Sequence, residues 1–203
     1  MKEVVISAYD RDYHYWVNNL NKDIKVTVYR KGTNYNLADE IYLENNVGRD
    51  VHTFFYHIVN NYDNLANYTF TSQDYFQDHV RNYIDIMNGN IQTLKSNAVQ
   101  DFGECWFFCT QYGGKLICDK NGAPNHDGLD IPLIWNQLFK SDCPDTIIFT
   151  PTGHFCATKE HIQKRPIEFY KKVLNILETN EQAPWVIERL EPYIFDLNFD
   201  INE

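Results

Sequence analysis

Short blocks of apolar residues alternate with polar residues from the start of the chain. The run 4–6 (Val-Val-Ile) predicts a buried strand that ends in a polar turn, and the alternation over 24–29 predicts a second strand. The segment 13–20 between them has room for a short helix. This βαβ opening predicts a parallel sheet with a right-handed crossover.

The same alternation continues along the chain. Further strands are predicted at 41–43, 68–72 and 146–150, with a short segment at 154–157 after a break at Pro151. Helices are predicted at 50–62, 79–87, 131–139, 166–177 and 185–195. The stretch 102–130 is rich in glycine and aromatic residues and is predicted to be an irregular substrate loop. We therefore expect one α/β domain over 1–203, with a central, mostly parallel twisted sheet flanked by helices.

Composition and charge exclude several classes of protein. The 203 residues include 18 Lys and Arg against 28 Asp and Glu, a net charge of −10, which argues against nucleic acid or an anionic membrane as the main partner. No apolar run approaches the roughly 18 residues of a membrane span, and no signal peptide is recognisable at the start. We expect a cytoplasmic protein without membrane insertion. The 5 cysteines have irregular spacing and are expected to be reduced.

Aromatic residues are abundant, at 15% of the chain. Aromatic rings suit the stacking of sugars and nucleobases, although most such residues belong to protein cores. Several catalytic patterns are missing from the sequence, namely G-x-G-x-x-G, G-x-x-x-x-G-K-[ST], G-x-S-x-G and paired CxxC motifs. Dehydrogenases with a Rossmann fingerprint and P-loop NTPases therefore lose their main support.

Two carboxylates and an imidazole follow the predicted strand 68–72. Asp74, Asp78 and His79 would lie at the carboxyl end of that strand, where α/β sheets bind ligands. Carboxylate oxygens suit Mg²⁺ or Mn²⁺, and a histidine nitrogen favours Mn²⁺. The alternative is structural, with Asp78 as the N-cap of the following helix and His79 in its first turn.

The negative net charge bears on the metal hypothesis. A diphosphate brought to a protein of charge −10 meets few cations, and one unpaired like-charge contact at about 4 Å costs on the order of 4 kcal/mol at an effective dielectric of 20. A divalent ion would reverse the local sign. An acidic enzyme that binds a phosphate-bearing substrate is therefore expected to need a metal.

A second cluster, Gly48-Arg49-Asp50, opens the predicted helix 50–62. A helix start favours anions, so Arg49 could bind a phosphate or carboxylate there. Asp50 could bind a sugar hydroxyl. Equally, Asp50 could cap the helix and Arg49 could pair with it. A third candidate is His154, which follows Gly153, although a lone histidine is more often structural.

The order of these clusters resembles that of a known family. Six segments carry the resemblance. In chain order they are 4–10, 46–50, 57–63, 70–74 together with Asp78 and His79, 185–190 and 194–195. They resemble glycosyltransferase-like proteins of fungi, bacteria and large viruses, and in particular amino-terminal domains of chlorella-virus glycosyltransferases that decorate capsid protein. The resemblance implies a GT-A-type domain that binds a UDP-sugar through Mn²⁺ or Mg²⁺ and transfers a hexosyl or deoxyhexosyl group to a glycan or glycoprotein. It also implies further domains in the full-length protein.

The resemblance also implies roles for individual residues. The implied donor contacts are Ser7, Tyr9, Asp10, Arg49, Asp50 and Gln73. The implied metal ligands are Asp74, Asp78, His79 and His154, with Asp78 also catalytic. The usual metal motif of GT-A enzymes is Asp-x-Asp, whereas Asp74 and Asp78 stand four positions apart.

Stereochemistry stays open at the level of sequence. An inverting enzyme needs a carboxylate base, for which Asp127 and Asp130 are the candidates. A retaining enzyme needs none, and the resemblance favours a retaining branch. The competing classes are a glycoside hydrolase, which would use paired carboxylates without a nucleotide, and a non-catalytic carbohydrate-binding module.

Overall fold

Strands and helices alternate along most of the chain in a computed structural model, which describes residues 1–43, 46–121, 126, 128–151 and 153–195. The strands are β1 (Lys2–Ala8), β2 (Ile24–Arg30), β3 (Glu40–Tyr42), β4 (Tyr68–Gln73), β5 (Gln100–Asp101), β6 (Cys105–Phe107), β7 (Leu116–Asp119), β8 (Thr146–Phe149) and β9 (Phe155–Thr158). The helices are α1 (His14–Val17), α2 (Arg49–Asn61), α3 (Tyr83–Asn88), α4 (Ile91–Asn97), α5 (Ile131–Phe139), α6 (Lys159–Gln163), α7 (Ile167–Thr179) and α8 (Ala183–Phe195).

Seven strands form one sheet, in the order β3-β2-β1-β4-β9-β6-β5. The first four strands are parallel, and β9, β6 and β5 continue the sheet in antiparallel pairs. The order of the parallel half, 3-2-1-4, is that of the first half of a doubly wound nucleotide-binding sheet. Strands β7 and β8 pair separately. The predicted fold class is confirmed: an α/β fold with a large central sheet flanked by helices.

Apolar side chains cover both faces of this sheet. Val5 of β1 belongs to a core shared with α2, α5, α7 and α8, whereas its neighbours Val4 and Ile6 face a second core built with α1, α3 and α4. A strand buried on both faces reads as a continuous apolar run rather than an alternating one, as β1 does. The ends of β1 and its neighbours are therefore held rigidly between two packed layers.

Most of the large aromatic side chains belong to these cores. The largest fully buried side chains are all aromatic, among them Trp16, Trp106, Trp135 and Tyr83. Among the described residues the strongly exposed rings are tyrosines, including Tyr112 at 68%, Tyr35 at 55% and Tyr9 at 49%. The aromatic composition is therefore mainly a property of the core and gives little support to sugar binding.

Two interpretations of the sequence are wrong at the level of local structure. Within the supposed substrate loop 102–130, β6 is an interior strand of the sheet, with Trp106 and Phe107 buried. A short buried strand without alternation cannot be separated from a loop or helix by its pattern. Helix α3 begins at Tyr83, behind Asn82 at the N-cap, and not at 79. Val80 is buried in the turn before it.

The described helices include none with both the length and the apolar character needed to cross a bilayer. None of the five cysteines forms a disulfide, and four of them are buried. These four pack as small side chains within the cores.

Candidate functional site

Two adjoining cavities lie over the carboxyl ends of β1 and β4. Their volumes are about 530 Å³ and 370 Å³, and they share Arg49, Asp50 and Gln73 in their walls. We call the two together the cleft, and the three shared residues the junction. Other wall residues of the larger cavity include His79, Gln111, Tyr112, His126, Trp185, Glu188 and Arg189. The smaller cavity is completed by Ser7, Tyr9, Lys31, Asn46 and Asp74.

The topology of the sheet explains why the cleft lies there. Ser7 and Gln73 are register partners at the ends of the adjacent parallel strands β1 and β4. Strand order reverses between these two strands, because the chain runs outward from β1 to β2 and β3 before it returns to β4. Ligands of α/β sheets bind in the crevice that such a reversal opens at the carboxyl ends of the strands.

The start of α2 is built to approach the cleft closely. Gly48 and Arg49 both have left-handed backbones, with φ of 65° and 55°. A side chain at position 48 would place its Cβ 2.6 Å from the Cβ of His52, so glycine is required there. The first N–H groups of a helix have no acceptor inside the helix, so they favour an anion at this end.

Arg49 brings a positive charge to the junction. Its guanidinium lies over the ring of Trp185, 5.7 Å from the centroid, and makes no ion pair with the residues that the structure describes. The N-cap of α2 is Gly48 and not Asp50. The structural alternative, with Asp50 as cap and Arg49 as its ionic partner, is therefore wrong.

Asp50 is oriented by the end of β4. The side-chain amide of Gln73 donates a hydrogen bond of 2.5 Å to Asp50 Oδ2. The second carboxylate oxygen of Asp50 has no hydrogen bond within the described chain. An oriented carboxylate of this kind can accept a hydrogen bond from a ligand hydroxyl.

The other predicted donor contacts are divided between the cleft and the outside. Ser7 lines the smaller cavity, although its hydroxyl also bonds Thr53 of α2 at 2.9 Å. The ring of Tyr9 is half exposed at the same cavity. Asp10 is exposed and is not part of either cavity wall, so its predicted role as a donor contact has no support from the fold.

Asp74 has a structural role that its sequence position does not reveal. Its Oδ2 accepts hydrogen bonds from the backbone N–H groups of Tyr9 at 2.8 Å, Asp10 at 3.2 Å and Arg11 at 3.0 Å. The residue is 7% exposed. Because one oxygen binds three donors, the carboxylate holds the loop after β1 against the end of β4.

The four predicted metal ligands do not fit a metal ion. Asp78 is exposed and outside both cavity walls, and His79 has its Nδ1 2.5 Å from Gln111 Oε1. The ring of His154 is buried 5.4 Å behind that of His79. Across residues 1–43, 46–121, 126, 128–151 and 153–195, no three His, Cys, Asp or Glu side chains form a group that could bind a metal.

The physical reason lies in the turn after β4. Asp74 is held inward by backbone N–H groups, whereas Asp78 lies four residues further along a turn that faces solvent. Because the next helix begins at Tyr83, Asp78 is not its N-cap either. The sequence grouped these residues by spacing, but the turn separates them.

The predicted catalytic bases also lie elsewhere. Asp130 is the N-cap of α5, where its carboxylate accepts a hydrogen bond from Leu133 N at 3.0 Å, and it is exposed outside the cleft walls. The fold therefore gives its predicted role as a base no support. Asp127 lies outside the described residues.

Several wall residues were not singled out from the sequence. Trp185, Glu188 and Arg189 lie at helical spacing on one face of α8, and Lys31 follows β2. Arg189 is 3% exposed, donates to Trp185 O at 2.7 Å and lies over the ring of Phe149. The charged pair Glu188 and Arg189, one helical turn after Trp185 in a mostly apolar helix, is the signal that could have revealed this wall.

A buried carboxyl group lies behind the larger cavity. Glu191 of α8 is 0% exposed, and neither of its oxygens has a hydrogen-bond partner in the described part of the chain. Burial, together with the charges of Glu188 and Asp50, raises the pKa of Glu191 well above its usual range. The carboxyl group therefore stays protonated at pH values where an exposed glutamate is already ionised.

The fold and the cleft define an α/β protein with a ligand-sized crevice at the carboxyl edge of a parallel half-sheet. A family model described as "Protein of unknown function (DUF3431)" matches residues 4–202, and the chain belongs to this family. Searches of curated proteins and of solved structures give no match.

Proposed function

We propose that this chain is a GT-A-like glycosyltransferase that transfers a sugar from a UDP-sugar to a glycan or glycoprotein acceptor. The observation that carries the proposal is the pair of cavities that meet at Arg49, Asp50 and Gln73. Transfer between two substrates requires two neighbouring sites that meet at the reacting carbon. Cavities of about 530 Å³ and 370 Å³ suit ligands of this size.

The smaller cavity suits the nucleoside diphosphate. It lies over the end of β1, its wall includes the half-exposed ring of Tyr9, and Lys31 and Arg49 contribute cations. The larger cavity suits the transferred sugar and the acceptor. Trp185 and the exposed ring of Tyr112 provide apolar faces there, and Glu188 and Arg189 provide polar groups.

The chemistry assigns a task to each junction residue. The bond between the anomeric carbon and the diphosphate oxygen breaks, its electron pair stays on the diphosphate, and the acceptor hydroxyl oxygen forms the new bond to the anomeric carbon. Arg49, which makes no ion pair within the described chain, would neutralise the growing charge on that leaving group. Asp50, held by Gln73, would accept a hydrogen bond from a donor hydroxyl.

The need for a base depends on stereochemistry. If the enzyme retains configuration, as the family resemblance favours, the acceptor proton passes to the departing diphosphate and no protein base is needed. If it inverts, the base must come from the cleft, and the carboxylates that line the larger cavity are Asp50 and Glu188. Among described residues, these two replace Asp78 and Asp130 as candidates.

Mn²⁺ or Mg²⁺ stays part of the proposal on charge alone. The net charge of −10 makes diphosphate binding without a divalent ion unfavourable. Because the predicted ligand set does not fit a metal, we assign no residue to it. A cytoplasmic location is also part of the proposal, since five cysteines without a disulfide suit a reducing compartment.

Calorimetry with UDP tests the proposal first. We expect UDP to bind, and to bind more tightly with Mn²⁺ than with EDTA. A panel of UDP-sugars is then incubated with glycan fragments, including a viral-capsid type, and products are detected by mass. The proposal fails if UDP does not bind under any metal condition, or if no donor is transferred or hydrolysed.

A glycoside hydrolase is the second candidate. It is supported by Asp50 and Glu188 in one cavity wall and by the raised pKa of buried Glu191 behind it, since such enzymes use one ionised and one protonated carboxyl. Hydrolysis of aryl glycosides without nucleotide binding would favour it. A carbohydrate-binding module has less support, because the aromatic residues that suggested it lie mostly in the cores.

A further inference from the structure

Lys31 lies at the base of the smaller cavity and is held by backbone groups. It follows β2, and its N–H donates to Ala8 O at the end of β1, at 2.9 Å. Its ammonium donates to Val47 O at 2.6 Å and to Arg49 O at 2.5 Å. These two carbonyls flank Gly48, so the lysine fastens the left-handed turn that leads into α2.

The ammonium of Lys31 lacks a direct counter-ion. The residue is 4% exposed, and no carboxylate among the described residues forms an ion pair with it. Burial lowers the pKa of Lys31 to about 7, although Asp50 and Glu178 oppose this effect from a distance. A buried ammonium that is held only by backbone carbonyls and lines a cavity is stabilised by an anion that enters the cavity.

We propose that Lys31 is a positioning residue for the diphosphate of the donor: it fixes the turn that presents Arg49 to the cleft, and it takes up a proton when the diphosphate binds. This inference rests on the proposed function, because it takes a nucleoside diphosphate as the ligand of the smaller cavity. A bound diphosphate supplies the missing negative charge. The protonated form then becomes favoured at a pH where the free protein holds mostly neutral lysine.

The charged and titratable groups around Lys31 determine the direction of the effect. The negative charges of Asp50 and Glu178 favour the ammonium form of Lys31. Arg49 contacts Lys31 through its backbone carbonyl, which accepts a hydrogen bond from the ammonium. His52 has its Nε2 3.2 Å from Glu178 Oε1, and burial and Lys31 lower its pKa. The lowered pKa of His52 favours its neutral form, and the pKa of Lys31, about 7, places the charge change of the lysine near neutral pH.

Calorimetric titration of the full chain with UDP measures this proton directly. At pH 8 and constant Mn²⁺, titrations are run in buffers with different ionisation enthalpies, which yields the number of protons taken up. The terminal phosphate of UDP, with a pKa near 6, is already ionised at pH 8. With a Lys31 pKa of about 7, we expect close to one proton per UDP at pH 8 and much less at pH 6, and weaker binding as pH rises above 7.

Two variants complete the test. Lys31→Met should lower UDP affinity at pH 7 by roughly tenfold or more, in line with the loss of a charge-assisted contact, and should abolish the proton uptake. Lys159→Met is the matched control, since Lys159 also donates to a backbone carbonyl, Asp63 O at 2.6 Å, but lies outside the cleft walls. It should bind UDP like the wild type.

The outcomes separate this inference from the proposed function. Tight UDP binding without proton uptake at pH 8, or unchanged affinity in Lys31→Met, overturns the role of Lys31 and leaves the glycosyltransferase proposal intact. Absence of UDP binding in the wild-type protein overturns both. If Lys31→Met does not fold, the proton count of the wild-type protein alone decides the question.

Discussion

Gln73 and Asp50 are joined by a hydrogen bond of 2.5 Å that links the end of β4 to the first turn of α2. Both residues line both cavities of the cleft. The bond orients the carboxylate where the two cavities meet, and it leaves one carboxylate oxygen for a ligand. The pair thus connects the sheet reversal, which creates the crevice, to the helix that supplies its charges.

Removal of the orienting amide should weaken ligand binding without harming the fold. In Gln73→Leu the Asp50 carboxylate loses a charge-assisted hydrogen bond worth roughly 1.5–3 kcal/mol, and its orientation becomes less defined. We predict about tenfold weaker binding of the UDP-sugar that the wild-type protein accepts, measured by calorimetry. Gln92→Leu, on the exposed surface of α4, is the control. Equal affinities in the two variants would contradict a role for this bond.

Loss of the Arg49 charge should be more damaging to nucleotide binding. Arg49→Met keeps an unbranched side chain against Trp185 but removes the junction cation. Since a hydrogen-bonded charge pair contributes roughly 1.5–3 kcal/mol, we predict UDP affinity to fall by about 10- to 100-fold, with the loss reduced at high salt. Arg81→Met, an exposed arginine outside the cleft walls, should leave the affinity unchanged. Arg49→Lys should recover part of the loss because the charge returns.

Asp78 should be dispensable for metal-supported binding. It is exposed and outside the cleft, so we predict that Asp78→Ala changes UDP affinity in Mn²⁺ by less than about twofold. Asp74→Ala is the contrasting variant. It leaves three backbone N–H groups without their acceptor and should lower the free energy of unfolding by roughly 3 kcal/mol in a denaturant titration. If UDP binding by Asp78→Ala no longer depended on Mn²⁺, Asp78 would again be a candidate metal ligand.

Glu191 should make the protein less stable as pH rises. Its pKa is near 4.3 in an unfolded chain and is raised in the fold, so between these two values the folded state holds more protons than the unfolded state. Stability is therefore lost with increasing pH, by at most about 1.4 kcal/mol per pH unit. Glu191→Gln keeps the shape without the acid and should be more stable than the wild type at pH 8, with the difference vanishing near pH 4.

Thermal and denaturant unfolding across this pH range measure the effect. Glu181→Gln, at an exposed position before α8, is the control and should leave the pH profile of stability unchanged. If the free energy of unfolding varied with pH in the same way in the wild type and in Glu191→Gln, Glu191 would not titrate as the fold indicates.

The regular elements with strong periodicity were predictable from the sequence. The predicted helix 131–139 has the observed bounds, because Asp130 caps its start and the apolar positions repeat at helical spacing. Strand β6 was missed, since its short apolar run is buried on both faces and has no period to read. Helix α3 was started too early because Val80 continues the helical spacing while lying in a turn.

By itself the sequence determined that Arg49, Asp50 and Gln73 stand at a helix start and a strand end, where parallel sheets bind ligands. Only the tertiary structure decided which neighbouring side chains join them. Lys31 and Trp185 come from distant segments and reach the cleft through packing. Asp74 and Asp78 look alike in the sequence, yet three backbone N–H groups of another loop draw one inward while the other faces solvent. Spacing along a chain indicates which residues are near each other, but the direction of a carboxylate is set by donors that only the fold brings to it.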